Sequence, residues 1–418
     1  MNLTCSSQMV EARKNDRGET NKRRILFYTS SFSGQSGATH CMMRTAQTLA
    51  QLNGKLICLA LPARDQSEIE KFSAAAAAFA AVHFNPGAYK LSKRRNPFYY
   101  LKYVCDSARG IAAMYMWLRR HPVDIVHAND LLDFHGAIAG WLAGSKVVWH
   151  LRTVRSRLVV GPFLWIMRAL STRILAVSRD TARKMLGDSQ QKVAVVYDSP
   201  PDADVFDPAK YPRAAQQRLR AALGIQDNEF VIGMVGKLVR LKGHEAFLRA
   251  CQRLLKLQPH CKFIIVGGPV PGHEQYERSL RGLAGELGLS SRLIMTGFRA
   301  DVPALIAIFD VMLQLSIFDD PFPGVVLQGM AMEKTVAASN RGGVLEQIED
   351  GVTGILVDPH DAAGVAQRLS ELLENAPGRQ RLGTAARRAV YHKFKDDAVI
   401  INAIYDSLLN EVRETASV

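Results

Sequence analysis

Two polar side chains in the second half of the chain have the chemistry and spacing expected of a carbohydrate site. Asp320 lies in a loop, and Gln328 lies in the first turns of the helix predicted to follow, so both can face one pocket. A carboxylate accepts hydrogen bonds from sugar hydroxyls, and an amide can bond a ribose. The helix start near Gly324 and Val325 offers free N–H groups to a phosphate. The structural alternative is that Asp320 only caps this helix.

A Gly-Gly turn further along the chain favours the binding interpretation. Gly342-Gly343 follows a short apolar run and precedes Glu346, at the start of another predicted helix. Helix N-termini that follow strands are common sites for phosphates and sugars in α/β proteins. We therefore interpret Asp320, Gln328 and Glu346 as ligand-binding residues.

A basic loop earlier in the same half supplies the opposite charge. Residues 236–243 read Gly-Lys-Leu-Val-Arg-Leu-Lys-Gly, between a predicted strand and a predicted helix. Lys237 and Lys242 can neutralise a diphosphate and stabilise it as a leaving group. Alone, the segment fits a basic solvated loop equally well. Together with the acidic loop that follows it, the segment predicts a phosphate site that begins at Gly236.

The first half contains a second set of polar residues, each beside a predicted strand. They are Gly37, His40, His127, Asn129, His150 and Arg152. A lone histidine is more often structural than catalytic. Structural and functional roles therefore both stay open for His127 and His150.

Strands and helices alternate throughout the chain, and the pattern restarts after a polar connector. The predicted strands are 24–28, 55–61, 124–127, 146–150, 174–177 and 193–197, then 230–235, 263–266, 293–296, 311–315, 335–338 and 355–357. Helical patterns fall between them, and three more helices close the chain. This alternation predicts parallel sheets with helices on both faces. Two similar α/β halves predict a cleft between them, which is a common place for a ligand.

The length of 418 residues suits two domains. We expect disorder over 1–20, an N-terminal Rossmann-like domain over 21–207, a linker over 208–228 and a C-terminal Rossmann-like domain over 229–395. Residues 396–418 form a helix that can pack back on the first domain.

Composition narrows the class of protein. Hydrophobic residues make up 48% of the chain, and the six cysteines form no C-x-x-C pair. A reducing compartment is therefore expected, without a disulfide framework. The N-terminus has no apolar core of a signal peptide, and the apolar run 158–167 is too short to span a bilayer. We expect a cytoplasmic protein, with peripheral attachment to the inner face of the membrane as an option.

The net charge of +14 is concentrated in the first half. Residues 1–208 hold 28 Lys+Arg and 16 Asp+Glu, a balance of +12, which leaves +2 for the rest. Nucleic acid, an anionic membrane, an anionic substrate or an ordinary basic surface can each explain the excess. The basic, aromatic segment 90–100 fits an anionic lipid surface. No nucleic-acid motif is present, so no nucleic-acid partner is expected. For 158–170 we favour a buried helix.

The motifs of the second half resemble those of the retaining GT-B glycosyltransferases of family 4. The matching blocks, in the family's order, are 236–243, 320–332, 335–339, 342–346 and 350–359. The first half resembles the family more loosely, through 36–40, 124–130 and His150. The resemblance implies a GT-B fold, with two Rossmann-like doubly wound domains facing across a cleft. It implies transfer of a sugar from a nucleotide-sugar donor to a hydroxyl of a glycan or lipid-linked acceptor, with retention of configuration. Cell-surface polysaccharide or glycolipid biosynthesis is the implied setting, with no metal or other cofactor.

The resemblance also assigns roles to residues. The implied catalytic residues are Lys242, Lys237, His127 and Asp320. The implied donor site comprises Gly37, Gly236, Lys237, Lys242, Asp320, Gly324, Val325, Gln328 and Glu346. The implied acceptor side comprises His40, His127, Asn129, His150 and Arg152. No metal ligands are expected, and Asp202-Ala203-Asp204 is interpreted as a loop rather than a metal site.

Four positions depart from the family pattern. Asp320 and Gln328 stand where the family has two glutamates, Thr39 replaces an acid, and Asn129 replaces a histidine. These departures keep two alternatives open. One is a nucleotide-sugar epimerase or hydrolase of the same fold, and the other is a non-catalytic nucleotide-sugar binding protein.

Overall fold

The computed structural model describes residues 10–11, 22–30, 37–52, 55–62, 79–85, 97–187, 192–270 and 272–415. The chain divides into two compact units, Met1–Tyr197 with Asp396–Val418, and Asp198–Lys395. The boundary therefore falls after Tyr197, ahead of the predicted one. Residues 198–207 belong with the second unit, where the carbonyls of Pro201 and Phe206 accept hydrogen bonds from Tyr391 (3.4 Å) and Arg387 (2.9 Å).

The first unit is built on an eight-stranded sheet in the order β1-β4-β3-β2-β5-β6-β7-β8. Its strands are β1 (Val10–Glu11), β2 (Arg23–Tyr28), β3 (Lys55–Pro62), β4 (Ala81–Asn85), β5 (Ile125–Ala128), β6 (Lys146–Leu151), β7 (Arg173–Ala176) and β8 (Val193–Val195). All pairs are parallel except β1 with β4. The central strands are apolar over most of their length, because helices cover both faces of such a sheet.

The described part of this unit contains six helices. They are α1 (Gly37–Gln51), α2 (Pro97–Arg120), α3 (Phe134–Leu142), α4 (Arg157–Leu170), α5 (Arg179–Leu186) and the last helix of the chain, Asp397–Thr415. The last helix contributes buried Ala398, Ile401 and Tyr405 to the same core as β2, β3 and α1. Lys55 pairs with Asp406 at 2.5 Å, and Thr45 donates to Asp397 at 2.7 Å.

The second unit contains a six-stranded, all-parallel sheet in the order β11-β10-β9-β12-β13-β14. Its strands are β9 (Phe230–Val235), β10 (Cys261–Val266), β11 (Leu293–Gly297), β12 (Val311–Gln314), β13 (Thr335–Ser339) and β14 (Ile355–Val357). This is the strand order of Rossmann-type nucleotide-binding sheets.

Eight helices belong to the second unit. They are α6 (Arg213–Ala222), α7 (His244–Leu257), α8 (Glu274–Glu286), α9 (Val302–Ala307), α10 (Gly324–Ala331), α11 (Val344–Gln347), α12 (Ala362–Glu374) and α13 (Ala376–Lys393). The helix Asp397–Thr415 of the first unit is therefore α14. Asp361 and Asn375 cap α12 and α13 by accepting backbone N–H bonds from Gly364 and Gly378.

Four parts of the first unit differ from the sequence-based expectation. Ala81–Asn85 is a strand that was not predicted, and α2 begins at Pro97, inside the segment 90–100 for which we predicted a lipid surface but no helix. Residues 90–96 lie outside the described part of the chain. Within 1–20, the structure describes Val10–Glu11, which pair with β4. Residues 158–170 were expected to form a buried helix, but α4 buries only one face because it covers one edge of a core.

Among the described residues, no helix combines the length and the apolar character that crossing a membrane requires.

Candidate active site

The sheet of the second unit reverses its strand order between β9 and β12, which are neighbours. One crossover leaves β9 in one direction, and the next leaves β12 in the other. A crevice consequently opens at the carboxyl ends of these two strands, where Rossmann-type sheets bind ligands. The loops that follow β9 and β12 are the two that the sequence analysis selected.

The loop after β9 is held against the end of β12 by Gly243. Arg240–Lys242 form one 3-10 turn, and Gly243 then takes a left-handed conformation with φ 78° before α7 begins. A Cβ atom on this residue would overlap the carbonyl group of Leu315. Only glycine fits both constraints, so this contact sets where the side chain of Lys242 points.

Lys242 forms an ion pair with Asp320, through Nζ and Oδ2. Asp320 is 7% exposed, whereas the Lys242 side chain is 27% exposed. Ser316 lies beside the pair, with its Oγ 3.5 Å from Oδ2 of Asp320, and Gln314 donates to the same Oγ at 2.6 Å. The ammonium of Lys242 also lies 5.8 Å from the centre of the Phe318 ring. Lys242 of the basic loop and Asp320 of the acidic loop, which the sequence suggested as separate features, therefore form one ion pair.

The Gly-Gly turn packs against the loop that contains Asp320. The carbonyl of Asp320 accepts a hydrogen bond from the N–H of Gly343 at 2.8 Å. A Cβ atom on Gly343 would overlap the carbonyl of Pro321. Gln347 donates to the carbonyl of Pro323 at 3.2 Å. The acidic loop is therefore fixed from both sides, by β12 and by the turn that precedes α11.

Asp320 does not cap α10. The N-cap residue is Pro323, and the cap has no side-chain hydrogen bond. The N-terminus of α10, at exposed Gly324 and half-buried Val325, therefore carries no side-chain cap. Gln328 lies on the same helix and Glu346 lies in α11, and both side chains are half-buried. These positions suit contacts to a bound molecule, and their binding roles stay predictions.

Gly236 and Lys237 complete the basic loop. Gly236 is the first residue after β9, and its Cα faces the side-chain stem of Lys242. A Cβ atom on Gly267 would overlap the carbonyl of Gly236, so Gly267 lets the backbone after β10 pack closely on the basic loop. The side chain of Lys237 is half-buried. The predicted donor residues of the second unit therefore all lie on the two switch-point loops, on α10 or on α11.

Sequence analysis did not select His244, which begins α7 beside the basic loop. Its ring is fully buried and lies edge-on to Tyr276, with ring centres 6.2 Å apart. Burial lowers the pKa of His244 to about 4, and the nearby ammonium of Lys242 acts in the same direction. His244 is therefore neutral at physiological pH. No sequence signal marked it, because a histidine after a glycine is common in ordinary loops.

The first unit reverses its strand order between β2 and β5. Gly37 begins α1 after β2, and Asn129 follows β5, with its Nδ2 3.5 Å from the carbonyl oxygen of Ala38. His40 is exposed on α1. Gly37, His40 and Asn129 thus lie at one end of the sheet, and their roles at an acceptor or donor site stay predictions.

The histidines of this unit are deeply buried. His127 shares a 2.6 Å hydrogen bond with the hydroxyl of Tyr405, and its ring lies 5.4 Å from that of His150. Arg152 donates to Oδ1 of Asn129 at 3.1 Å and lies 3.3 Å from Nδ1 of His150. Burial, with Arg152, lowers the pKa of His127 to about 3 and that of His150 well below its usual value. Both rings are therefore neutral, and a catalytic role for His127 stays a prediction.

A carboxylate near this switch point was also missed. Asp133 accepts hydrogen bonds from the backbone N–H and the hydroxyl of Ser30 at 2.7 and 2.6 Å. Burial raises the pKa of Asp133 to about 7. Asp133 thereby ties the end of β2 to the start of α3. The sequence signal that could have identified Asp133 is its position directly ahead of a helix.

In the described part of the chain, no group of three or more His, Cys, Asp or Glu side chains could hold a metal ion. Asp202 accepts a hydrogen bond from the N–H of Asp204 at 2.8 Å, which is the geometry of a local turn. The interpretation of Asp202-Ala203-Asp204 as a loop is confirmed.

Two family matches divide the chain between them. Residues 35–198 match the family described as Glycosyltransferase Family 4, and residues 215–389 match Glycosyl transferases group 1. Each match falls almost wholly within one structural unit. The switch point of the second unit lies inside its matched segment, whereas in the first unit β5 lies inside the match and β2 precedes it.

Curated proteins and solved structures agree with these matches. The D-inositol 3-phosphate glycosyltransferase of Nocardia farcinica is 30% identical over 232 residues, covering 54% of this chain and 49% of that protein. The protein of the same name from Mycobacterium bovis is 29% identical over 340 residues, covering 78% and 66%. The chain thus spans about half the length of the first curated relatives it matches.

The Anabaena protein HepE, solved in complex with UDP and glucose, superposes with a TM-score of 0.77 at 23% identity. The superposition covers 93% of this chain and all of that one, and it shows a shared fold. The paired family matches, the two Rossmann-type units and the motifs on the switch-point loops lead to one conclusion: the chain belongs to family 4 of the glycosyltransferases and has the GT-B fold.

Proposed function

We propose that this chain is a retaining glycosyltransferase, which moves a sugar from a nucleotide-sugar donor to a hydroxyl acceptor. The observation that carries the proposal is the ion pair between Lys242 and Asp320 at the switch point of the second unit. It places a cation and a hydrogen-bond acceptor at the N-terminal end of α10. A phosphate requires the first and a sugar requires the second.

The donor is proposed to bind over the carboxyl ends of β9 and β12. Its diphosphate would take the ammonium groups of Lys237 and Lys242 and the N–H groups of Gly324 and Val325. Asp320 would then accept hydrogen bonds from the sugar. Gln328 and Glu346 would hold the nucleoside part. The presence of UDP and glucose in the HepE structure supports a ligand of this class.

The chemistry follows from the charge that develops. The bond between the anomeric carbon and the phosphate oxygen breaks, and its electron pair leaves with the nucleoside diphosphate. The acceptor oxygen forms its bond to the same carbon from the same face, and its proton passes to the leaving phosphate. Lys242 stabilises the new negative charge, since preorganised cations contribute most where charge develops. Two lysines and the helix N–H groups suffice for this role, so we propose that no metal is required.

The acceptor is proposed to be a glycan or a lipid-linked saccharide that meets the switch point of the first unit, beside Gly37, His40 and Asn129. The curated relatives are named for an inositol phosphate acceptor, which supports a polyhydroxylated substrate. We further propose that the protein is cytoplasmic and acts in cell-surface polysaccharide or glycolipid biosynthesis. Its basic first half would lie at the inner face of an anionic membrane.

The test is incubation of the purified chain with a panel of nucleotide sugars, with and without glycan and lipid extracts, followed by mass spectrometry. Nucleotide release that requires an acceptor and yields a glycosylated product is the expected result, and a chelator such as EDTA should not change its rate. Conversion of the donor without an acceptor would instead identify an epimerase or hydrolase. Tight donor binding without turnover on every acceptor would identify a binding protein.

A further inference from the structure

One face of α4 is apolar and open to solvent. Val160, Leu164 and Met167 bury the inner face of this helix against the core of the first unit. On the outer side, Leu158 is 97%, Val159 69% and Trp165 71% exposed. Single exposed apolar residues are ordinary. Three large ones on a single helix of about four turns need a reason.

The sequence around α4 is basic, and the acidic residues that flank this stretch, Asp133 and Asp180, are buried. Residues 134–179 contain seven Lys+Arg and no Asp or Glu. Three of these arginines lie at the ends of α4 and are exposed: Arg155, Arg157 and Arg168. Arg157 and Arg168 each donate to a carbonyl near the end of α5, those of Met185 (3.3 Å) and Leu186 (2.6 Å). Their guanidinium groups are therefore held in place before any partner arrives.

We propose that this outer face of α4 is a membrane-docking surface for anionic lipid. Leu158 and Trp165 would enter the boundary between headgroups and acyl chains, while Arg155, Arg157 and Arg168 bind lipid phosphates. Exposed aliphatic and tryptophan side chains with flanking arginines are the features that hold a helix in the bilayer interface. Three exposed arginines beside the exposed apolar side chains favour an anionic lipid surface over a protein partner as the occupant. This inference refines the membrane part of the proposed function and is independent of the transfer chemistry.

Partition into vesicles tests the inference on the full chain. Co-sedimentation is measured with phosphatidylcholine vesicles, with and without phosphatidylglycerol, at low and high salt. We expect binding to the anionic vesicles alone, with a loss at high salt because screening weakens surface charges. The double variant L158Q/W165Q should bind about tenfold more weakly, since it removes two apolar contacts with the bilayer. V399Q is the matched control, because Val399 is 56% exposed on α14 of the same unit, and it should bind as the native chain does.

Tryptophan fluorescence identifies the inserted residue. The chain has four tryptophans, of which Trp117 and Trp149 are buried and Trp141 is 53% exposed. In a W141F background, brominated lipids should therefore quench the emission of Trp165. Vesicle binding without quenching would overturn the inference, and so would equal binding by L158Q/W165Q and the native chain. Absence of binding to every vesicle would also overturn it and would point to a protein partner.

Nucleotide release with a water-soluble acceptor separates this inference from the proposed function. L158Q/W165Q should keep the native rate, because Leu158 and Trp165 are among neither the proposed donor residues nor the proposed acceptor residues. If the native chain binds anionic vesicles but does not turn over any donor, only the transferase proposal is contradicted. If it turns over a donor but does not bind the vesicles, only the docking surface is contradicted.

Discussion

The proposed chemistry depends on single side chains, and Lys242 is the one whose environment is best defined. Its ammonium is paired with Asp320, which lies four residues ahead of Gly324, the first residue of α10. In the free protein the carboxylate neutralises this lysine. An incoming diphosphate would share the same cation, so binding requires no unpaired buried charge at any stage.

Replacing Lys242 by alanine should slow nucleotide release by about a hundredfold or more, because it removes a charge that stabilises the leaving group. Single-turnover release from a nucleotide sugar measures the effect. Lys256→Ala removes the same charge from an exposed position at the far end of α7 and should leave the rate within about twofold. Near-native turnover in Lys242→Ala would contradict the assignment.

His244 makes the second unit sensitive to acid. Its pKa is about 4 in the folded protein, against 6.5 for a free histidine, so the unfolded chain binds the proton more readily. Stability from the neutral ring is complete above pH 6.5 and is lost as the pH falls through the folded value. The full effect is about 3 kcal/mol, at about 1.4 kcal/mol per pKa unit.

Urea unfolding between pH 7.5 and 5 measures this dependence. His244→Gln should unfold with a shallower pH dependence than the native chain, because glutamine does not titrate in this range. His260→Gln is the control, since His260 is exposed on the same unit. Identical pH slopes for the native chain and His244→Gln would rule out the proposed linkage.

The residue types of the proposed donor site could be predicted from the sequence, but the ion pair between Lys242 and Asp320 could not. Lys242 and Asp320 are 78 positions apart, and only the adjacency of β9 and β12 brings them together. The sequence likewise offered helix capping as the role of Asp320, because a helix does follow it. Pro323 takes that position instead.

At the scale of the elements, two glycines let the active-site loops pack closely on neighbouring backbone. Gly243 touches the carbonyl of Leu315, and Gly343 touches that of Pro321. Any side chain at either position would push the two segments apart. These backbone contacts add to the side-chain contacts of Lys242 and Gln347.

Gly343→Ala should lower both the stability of the second unit and its affinity for a nucleotide. The added methyl group must displace the Pro321 carbonyl, and strain of this kind costs about 1–3 kcal/mol. Thermal unfolding and calorimetric titration with UDP measure the two effects. Gly282→Ala is the control, because a Cβ there meets open space on α8 and alanine favours a helix. A Gly343→Ala protein with native affinity and stability would contradict this prediction, because it would show that the turn accepts a side chain at this position.

Elements of the second unit were predicted closely because its strands are continuous apolar runs between clear helical patterns. Phe230–Val235 and Ile355–Val357 agree with the prediction at both ends. In the first unit, Ala81–Asn85 was missed, since a five-residue strand with a histidine and an asparagine has no clear period. The start of α2 was missed because its aromatic residues suggested an interface.

At the scale of the whole molecule, the first unit is assembled from both ends of the chain. α14 supplies Ile401, Tyr405 and Leu408 to a core that also includes residues of α1 and of the strands β2 to β7. Its polar contacts reach Thr45, Lys55 and Lys146. The sequence suggested this return of the chain, but the buried hydrogen bond between Tyr405 and His127 could not be foreseen from either residue.

Ile401→Ala should destabilise the first unit by about 2–5 kcal/mol, because it leaves a cavity in a fully buried position. Hydrogen exchange should show faster exchange in β2 and β3 and unchanged protection in β9 and β12. Val399→Ala removes an exposed side chain from the same helix and should change neither. Equal loss of protection in both units would instead mean that they unfold as one.

The return of α14 has a consequence for synthesis. The ribosome completes Asp198–Lys395 before it makes any residue of α14, so the second unit is the first with all of its sequence available. Until α14 is translated, the N-terminal segment exposes the apolar surface that α14 later buries. Chaperones that shield nascent chains have their natural target there. A stop codon just ahead of α14 would therefore leave the first unit without part of its core, although most of that unit is translated first. The second unit would still have its whole sequence.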